Sequence, residues 1–124
     1  MFPSQWAKFC YLKESYKMIY TGGYYSRSNE FSKETYVVEL DTNVISKKAD
    51  MLGPRSNHGI CRIKDTIYCA GGNSKTEILN STEIYDVVHN SWRQGPDLNK
   101  RKFGLTLVST DDRFIYSFGQ LSEE

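Results

Sequence analysis

Short apolar and aromatic runs alternate with polar stretches along the whole chain, and three of the runs are near-copies stopped by glycine. They are Met18-Ile19-Tyr20-Thr21-Gly22-Gly23, Ile67-Tyr68-Cys69-Ala70-Gly71-Gly72 and Ile115-Tyr116-Ser117-Phe118-Gly119-Gln120. They recur at intervals of roughly 50 residues, a period that marks stacked or radially arranged units. A run of this kind reads as a buried strand that the chain leaves sharply, because glycine reaches positive φ without a Cβ clash.

Around these anchors the pattern predicts ten strands. Trp6 to Leu12 and Tyr16 to Thr21 are the first two, joined by the polar turn Lys13-Glu14-Ser15. A polar loop runs from Tyr24 to Lys33. Glu34 to Leu40 then supplies a third strand rich in β-branched and aromatic residues, and Val44 to Ser46 a short fourth after the turn Asp41-Thr42-Asn43. The plan repeats with Gly59 to Ile63, Thr66 to Ala70, Thr82 to Asp86 and Ser91 to Arg93. A third unit offers Gly104 to Ser109 and Arg113 to Phe118 around the turn Thr110-Asp111-Asp112. No segment carries a sustained helical apolar period, so no helix of consequence is expected. Four short antiparallel strands per repeat describe one blade of a propeller.

Composition agrees with strands: aromatic residues make up 14% of the chain. Sixteen Lys and Arg against fifteen Asp and Glu leave a net charge of +1, too weak a field to steer nucleic acid or an acidic membrane. No apolar stretch is long enough to span a bilayer as a helix, and Met1 to Trp6 lacks the order of a signal peptide. Three cysteines, Cys10, Cys61 and Cys69, form an odd and sparse set that points to reduced thiols and a cytoplasmic setting.

The second unit carries Gly71-Gly72, Tyr85-Asp86, Trp92, Pro96-Asp97-Leu98, then Arg101 and Gly104. The first carries Gly22-Gly23, Tyr36, Met51-Leu52, Pro54-Arg55 and Gly59, with Ile45 at the place of the tryptophan. The third keeps Gly119 but has Gln120 for the second glycine. This series resembles the kelch repeat. The resemblance implies an all-β fold of antiparallel four-stranded kelch-type blades, an incomplete β-propeller. Residues 1–124 then form a single partial kelch-repeat region, with blade 1 at about 6–50, blade 2 at about 55–97 and a partial blade 3 at about 101–120. Tyr85 and Trp92 read first as plugs between blades, and burial is expected for them and for Tyr36, Ile67, Ile84, Leu105 and Leu107.

Few residues invite chemistry. Cys61 and Cys69 lie on consecutive strands of one hairpin, but only His58 stands near as a further ligand, so buried inert thiols are the expectation. His89 reads as a turn residue and Asp111-Asp112 as a solvated turn. Asn80-Ser81-Thr82 matches a glycosylation acceptor, which has no meaning without secretion. Arg55 and Arg101 sit at matching positions of the resemblance, which places that loop at one mouth of the central channel. The candidate partner-binding residues are therefore Arg55, Asn57, Arg101 and Lys102. Two readings stand for the arginines: contact with a carboxylate-bearing peptide, or an internal pair with an acid of a neighbouring blade.

The leading functional expectation is a non-catalytic protein-interaction module that presents loops for partner docking. By resemblance it is of the ubiquitin-ligase substrate adaptor or cytoskeletal scaffold type. It carries no catalytic residue, metal or cofactor, and takes a protein partner, with an acidic peptide as one candidate, rather than nucleic acid or membrane. The alternatives are a fragment of a kelch-propeller enzyme of sugar oxidase or epimerase type, or a truncated frame without independent function. Bare blade faces at both ends predict further blades or self-association.

Overall fold

The computed structural model describes residues 5–110 and 112–121, and every regular element in that span is a strand. The first unit holds β1 (Lys8–Leu12), β2 (Lys17–Thr21), the two-residue strands β3 (Tyr24–Tyr25) and β4 (Glu30–Phe31), β5 (Thr35–Glu39) and β6 (Val44–Lys47). The second holds β7 (Gly59–Ile63), β8 (Thr66–Ala70), β9 (Thr82–Asp86) and β10 (Ser91–Gln94). The third holds β11 (Lys102–Thr110) and β12 (Phe114–Leu121).

Each of the first two units is a four-stranded antiparallel sheet with the order first, second, third, fourth: β1-β2-β5-β6 and β7-β8-β9-β10. The β11–β12 hairpin is the corresponding first half of a third. The first strands β1, β7 and β11 lie side by side, so the sheets radiate from a common axis as an open arc of blades. The predicted strands are all present, and β7, β8 and β9 fall on their expected bounds. What the sequence pattern misses is the β3–β4 ribbon, which sits inside the polar stretch from Tyr24 to Lys33 and pairs Tyr24 with Phe31.

Register explains the core. Because side chains alternate across a strand, each blade has one face toward its predecessor and one toward its successor. Leu12, Ile19 and Val37 of blade 1 meet Ile67, Cys69 and Tyr85 of blade 2 in one buried cluster, with Trp92 partly buried at its margin. Cys61 and Ala70 on the opposite face of blade 2 meet Leu105 and Leu107 of the third hairpin. Each fully buried aliphatic side chain here contributes about 1.5–3 kcal/mol by leaving water. Of the residues expected to be buried, Tyr85, Ile67, Ile84, Leu105 and Leu107 are so, while Tyr36 and Trp92 are half-buried. Trp92 donates its indole N–H to the Ala49 carbonyl at 3.0 Å and packs on Tyr85, so it clamps the strand between blades rather than filling the core.

Both end faces of the arc are aromatic. Phe9 and Tyr11 of β1 are 62% and 49% exposed, and Val108, Phe114, Tyr116 and Phe118 of the last hairpin are 44–63% exposed. Strand β12 pairs only with β11 among the described residues, leaving its other edge free. Such faces and edges template association. The 124-residue chain is therefore expected to sediment as more than a monomer at micromolar concentration, with the larger species receding on dilution. A stable monomer across the whole dilution series would contradict this.

Candidate functional site

The seams between blades also position the polar residues. At one end of the arc are the tight hairpin turns; at the other are the long loops and the linkers from blade to blade. Arg55, Asn57, Arg101 and Lys102 all lie at the long-loop end. Their side chains do different things there.

Arg55 is 2% exposed. Its guanidinium donates to the carbonyls of Gly71 and Ser81, to the Ser81 hydroxyl, and to the Glu83 carboxylate at 3.0 Å. Glu83 is equally buried and also accepts the backbone N–H groups of Leu52 and Gly53. The expectation that Arg55 meets a partner's carboxylate is thus corrected: its charge is spent inside blade 2, tying the incoming linker to β9. The internal pairing was the other reading of the sequence, although the acid belongs to the blade that Arg55 enters rather than to a neighbour.

The matching of Arg55 with Arg101 is corrected as well. The Arg55 carbonyl accepts from Gly23 N–H at 2.9 Å, and the carbonyl that accepts from Gly72 N–H, at 2.7 Å, is that of Lys102. Lys102 is the structural counterpart of Arg55. Lys102 turns its ammonium onto the Ser117 hydroxyl, and Arg101 turns outward to the Glu77 carboxylate and the Ile78 carbonyl.

The entrances to the three first strands are linked in series. Asn57 N–H donates to the Trp6 carbonyl at 2.8 Å, and Gly104 N–H donates to the Asn57 carbonyl at 2.9 Å. All three residues have positive φ, 55°, 54° and 63° in chain order. For a bulky residue such as Trp6 that conformation is an outlier, and it carries the indole to a 54% exposed position. Beside this chain of entrances lies a cleft of about 240 Å3 lined by Trp6, Phe31, Ser56, Asn57, Asn73, Ser74 and Phe103. Trp6 stacks on Tyr24, with ring centroids 5.6 Å apart, and Tyr24 in turn packs on Phe31. The β3–β4 ribbon thus exists to hold one aromatic wall. The hydroxyl of Ser56, a fully buried residue, has no hydrogen-bond partner in the protein.

Of these residues only Asn57 stood out in the sequence. Trp6 and Asn57 occupy one position of the repeat, immediately ahead of a first strand. Aligning the units on their glycine pairs does not superpose them, because Trp6 lies 16 residues before Gly22 and Asn57 only 14 before Gly71, and nothing in the sequence signals that Phe31 folds back beside that position.

The remaining candidates are placed elsewhere. Cys61 pairs with Tyr68 and Cys69 with Ile60 in the β7–β8 register, so the two thiols point to opposite faces and do not share a site. Burial pushes the Cys61 and Cys69 thiols up to about 11 and about 12, which keeps them protonated and unreactive. His89 is exposed and sits 2.9 Å from the Asp86 carboxylate. Asp111 lies outside the described residues. No three His, Cys, Asp or Glu side chains converge on a metal-sized site among the described residues.

His58 is fully buried in the seam between blades 1 and 2, with Nε2 2.9 Å from the Thr21 hydroxyl and Nδ1 unpartnered. Burial, and then the positive charges of Arg55 and Lys8, hold its pKa well below the usual 6.5. The ring is therefore neutral in the fold, while in the unfolded chain it takes up a proton below about pH 6.5. Stability contributed above that pH is lost as pH falls, by about 1.4 kcal/mol per unit until the folded-state value is reached. Urea unfolding at pH 7.5 and 5.5 checks this: His58→Gln should flatten the difference, and an unchanged difference would refute it.

Comparison with known proteins points to the same architecture. Residues 54–99 match the Kelch motif. The chain is 25% identical over 105 residues to Kelch repeat and BTB domain-containing protein 2 of cowpox virus (strain GRI-90 / Grishak), covering 83% of this chain and 18% of that protein. It is 35% identical over 57 residues to Kelch-like protein 7 of Rattus norvegicus, covering 46% of this chain and 10% of that protein. Against beta-scruin of Limulus polyphemus the identity is 32% over 79 residues, covering 63% and 9%. The chain thus spans less than a fifth of the length of each of these curated relatives. With its glycine-stopped repeats, its radiating four-stranded sheets and this likeness, the chain carries a Kelch motif and folds as a partial propeller of kelch-type blades, two full blades and the first hairpin of a third.

Proposed function

We propose that the chain is a non-catalytic protein-docking module whose contact surface is the long-loop end of the arc. The observation that carries this is the cleft of Trp6, Phe31, Asn57, Asn73 and Phe103, where an exposed tryptophan, two half-buried phenylalanines and neutral amides converge on hydrogen-bonded strand entrances. Aromatic anchors held by a rigid frame are what protein interfaces use for most of their binding energy. Relatives of which one name couples kelch repeats to a BTB domain favour the adaptor type within this reading, with the scruin likeness favouring a scaffold. Three free cysteines suit a reducing compartment, and a cytoplasmic setting is part of the proposal.

The test is selection of binding segments from a random displayed-peptide library on the purified chain, followed by competition. Segments that lose binding on Phe103→Ala but keep it on Val88→Ala, at the hairpin-turn end, support docking at the cleft. Segments indifferent to Phe103→Ala, or none at all, would overturn it. Copper titration addresses the oxidase alternative directly: a docking module takes up none stoichiometrically.

A further inference from the structure

We infer that the segment this cleft accepts is an uncharged, proline-containing stretch in polyproline II conformation; this deepens the docking reading above and rests on it. Three features of the cleft lead there.

The first is what the rim no longer offers. Ser56 and Asn73 exchange both of their backbone hydrogen bonds with each other, at 2.9 and 2.8 Å. The N–H of Asn57 is spent on Trp6 and its carbonyl on Gly104. No run of free backbone donors and acceptors borders the cleft there, so an incoming chain has no sheet edge to extend. Recognition has to be made by side chains. A polyproline II segment suits that demand, since its own carbonyls project outward and proline brings no N–H in need of an acceptor.

The second is what the side chains offer. The walls are the rings of Trp6, Phe31 and Phe103, the surfaces on which proline rings stack in other aromatic-lined grooves. Between them stand the amides of Asn57 and Asn73 and the hydroxyls of Ser56 and Ser74. Neither amide makes a side-chain hydrogen bond to the described residues, and the buried Ser56 hydroxyl has no protein partner. The two amides are neutral groups of the right kind to read peptide carbonyls.

The third is charge. The cations singled out at this end are engaged: Arg55 with Glu83, Arg101 with Glu77, Lys102 with Ser117. No cationic side chain lines the cleft. A carboxylate entering it would lose its water without gaining a guanidinium, which disfavours an acidic segment.

The test is fluorescence anisotropy with two labelled decapeptides, one rich in proline and leucine, the other rich in aspartate and glutamate, at low and high salt. The expected result is proline-rich binding on the order of tenfold tighter than acidic binding and nearly insensitive to salt. Asn73→Asp, which replaces an amide donor by a carboxylate on the surface, should weaken it about tenfold. Arg101→Ala should leave it unchanged. Tighter, salt-sensitive binding of the acidic peptide that still requires Phe103 would overturn the polyproline assignment while the docking reading stands. Failure of both peptides, with library-selected segments also indifferent to Phe103→Ala, would remove the docking reading and this inference with it.

Discussion

Arg55→Ala is expected to destabilise the fold by about 3–5 kcal/mol, the range for breaking a buried ion pair by removing one partner. The guanidinium makes four hydrogen bonds in a site where it is 2% exposed, and its loss strands three kinds of group at once. The Glu83 carboxylate keeps only the N–H groups of Leu52 and Gly53, and the Gly71 and Ser81 carbonyls lose their shared donor. Lysine retains the charge but not the planar fork, so Arg55→Lys should recover only part of the loss. Removing both charges does not rescue the site either, because Leu52 and Gly53 then lack an acceptor. Since a domain of this kind has only about 5–15 kcal/mol in hand, the variant should unfold at markedly lower urea. A loss below about 1 kcal/mol would show that the pair is not the strut described above.

The second large effect is at Gly22. A Cβ built there meets the Arg55 carbonyl oxygen at 2.3 Å and the His58 ring at 2.8 Å, and φ is +64°. Gly22→Ala therefore combines left-handed strain of about 1–2 kcal/mol with overpacking of about 1–3 kcal/mol, and is expected to cost about 3 kcal/mol or more. The backbone carbonyl in the way is the same one that Gly23 N–H bonds, so relief by movement would open the seam between blades. Gly53→Ala is the internal control, because a Cβ there has nothing within 4 Å. Thermal unfolding should separate the two variants widely. Similar midpoints would mean that the repeated glycines are not there to admit the next blade.

The same residues show where sequence reading works and where it stops. Strands β7, β8 and β9 were legible to the residue because Lys64-Asp65 and the glycine pair punctuate them, and periodicity supplied the rest. The blade order followed from repetition. Long-range pairing was not legible: nothing local reports that Arg55 finds Glu83, 28 residues on in sequence, rather than solvent. Nor does anything local report that Lys102, rather than Arg101, offers the carbonyl that Gly72 bonds. Half of the candidate site was hidden for a related reason. Phe31 reads as one aromatic in a polar loop until the β3–β4 ribbon folds it onto Tyr24, and Phe103 reads as strand. Basic residues drew attention because charge is visible in a sequence, whereas the neutral aromatic and amide surface needed the fold to assemble it.

The measurement closest to the central claim is backbone-amide chemical-shift mapping of the isotopically labelled chain, with and without a saturating library-selected segment. Docking at the long-loop end predicts perturbations centred on Trp6, Phe31, Ser56, Asn57, Asn73 and Phe103. Perturbations centred instead on the hairpin turns at Lys64, Asp65 and Asn90, or on the exposed face of β12, would contradict it.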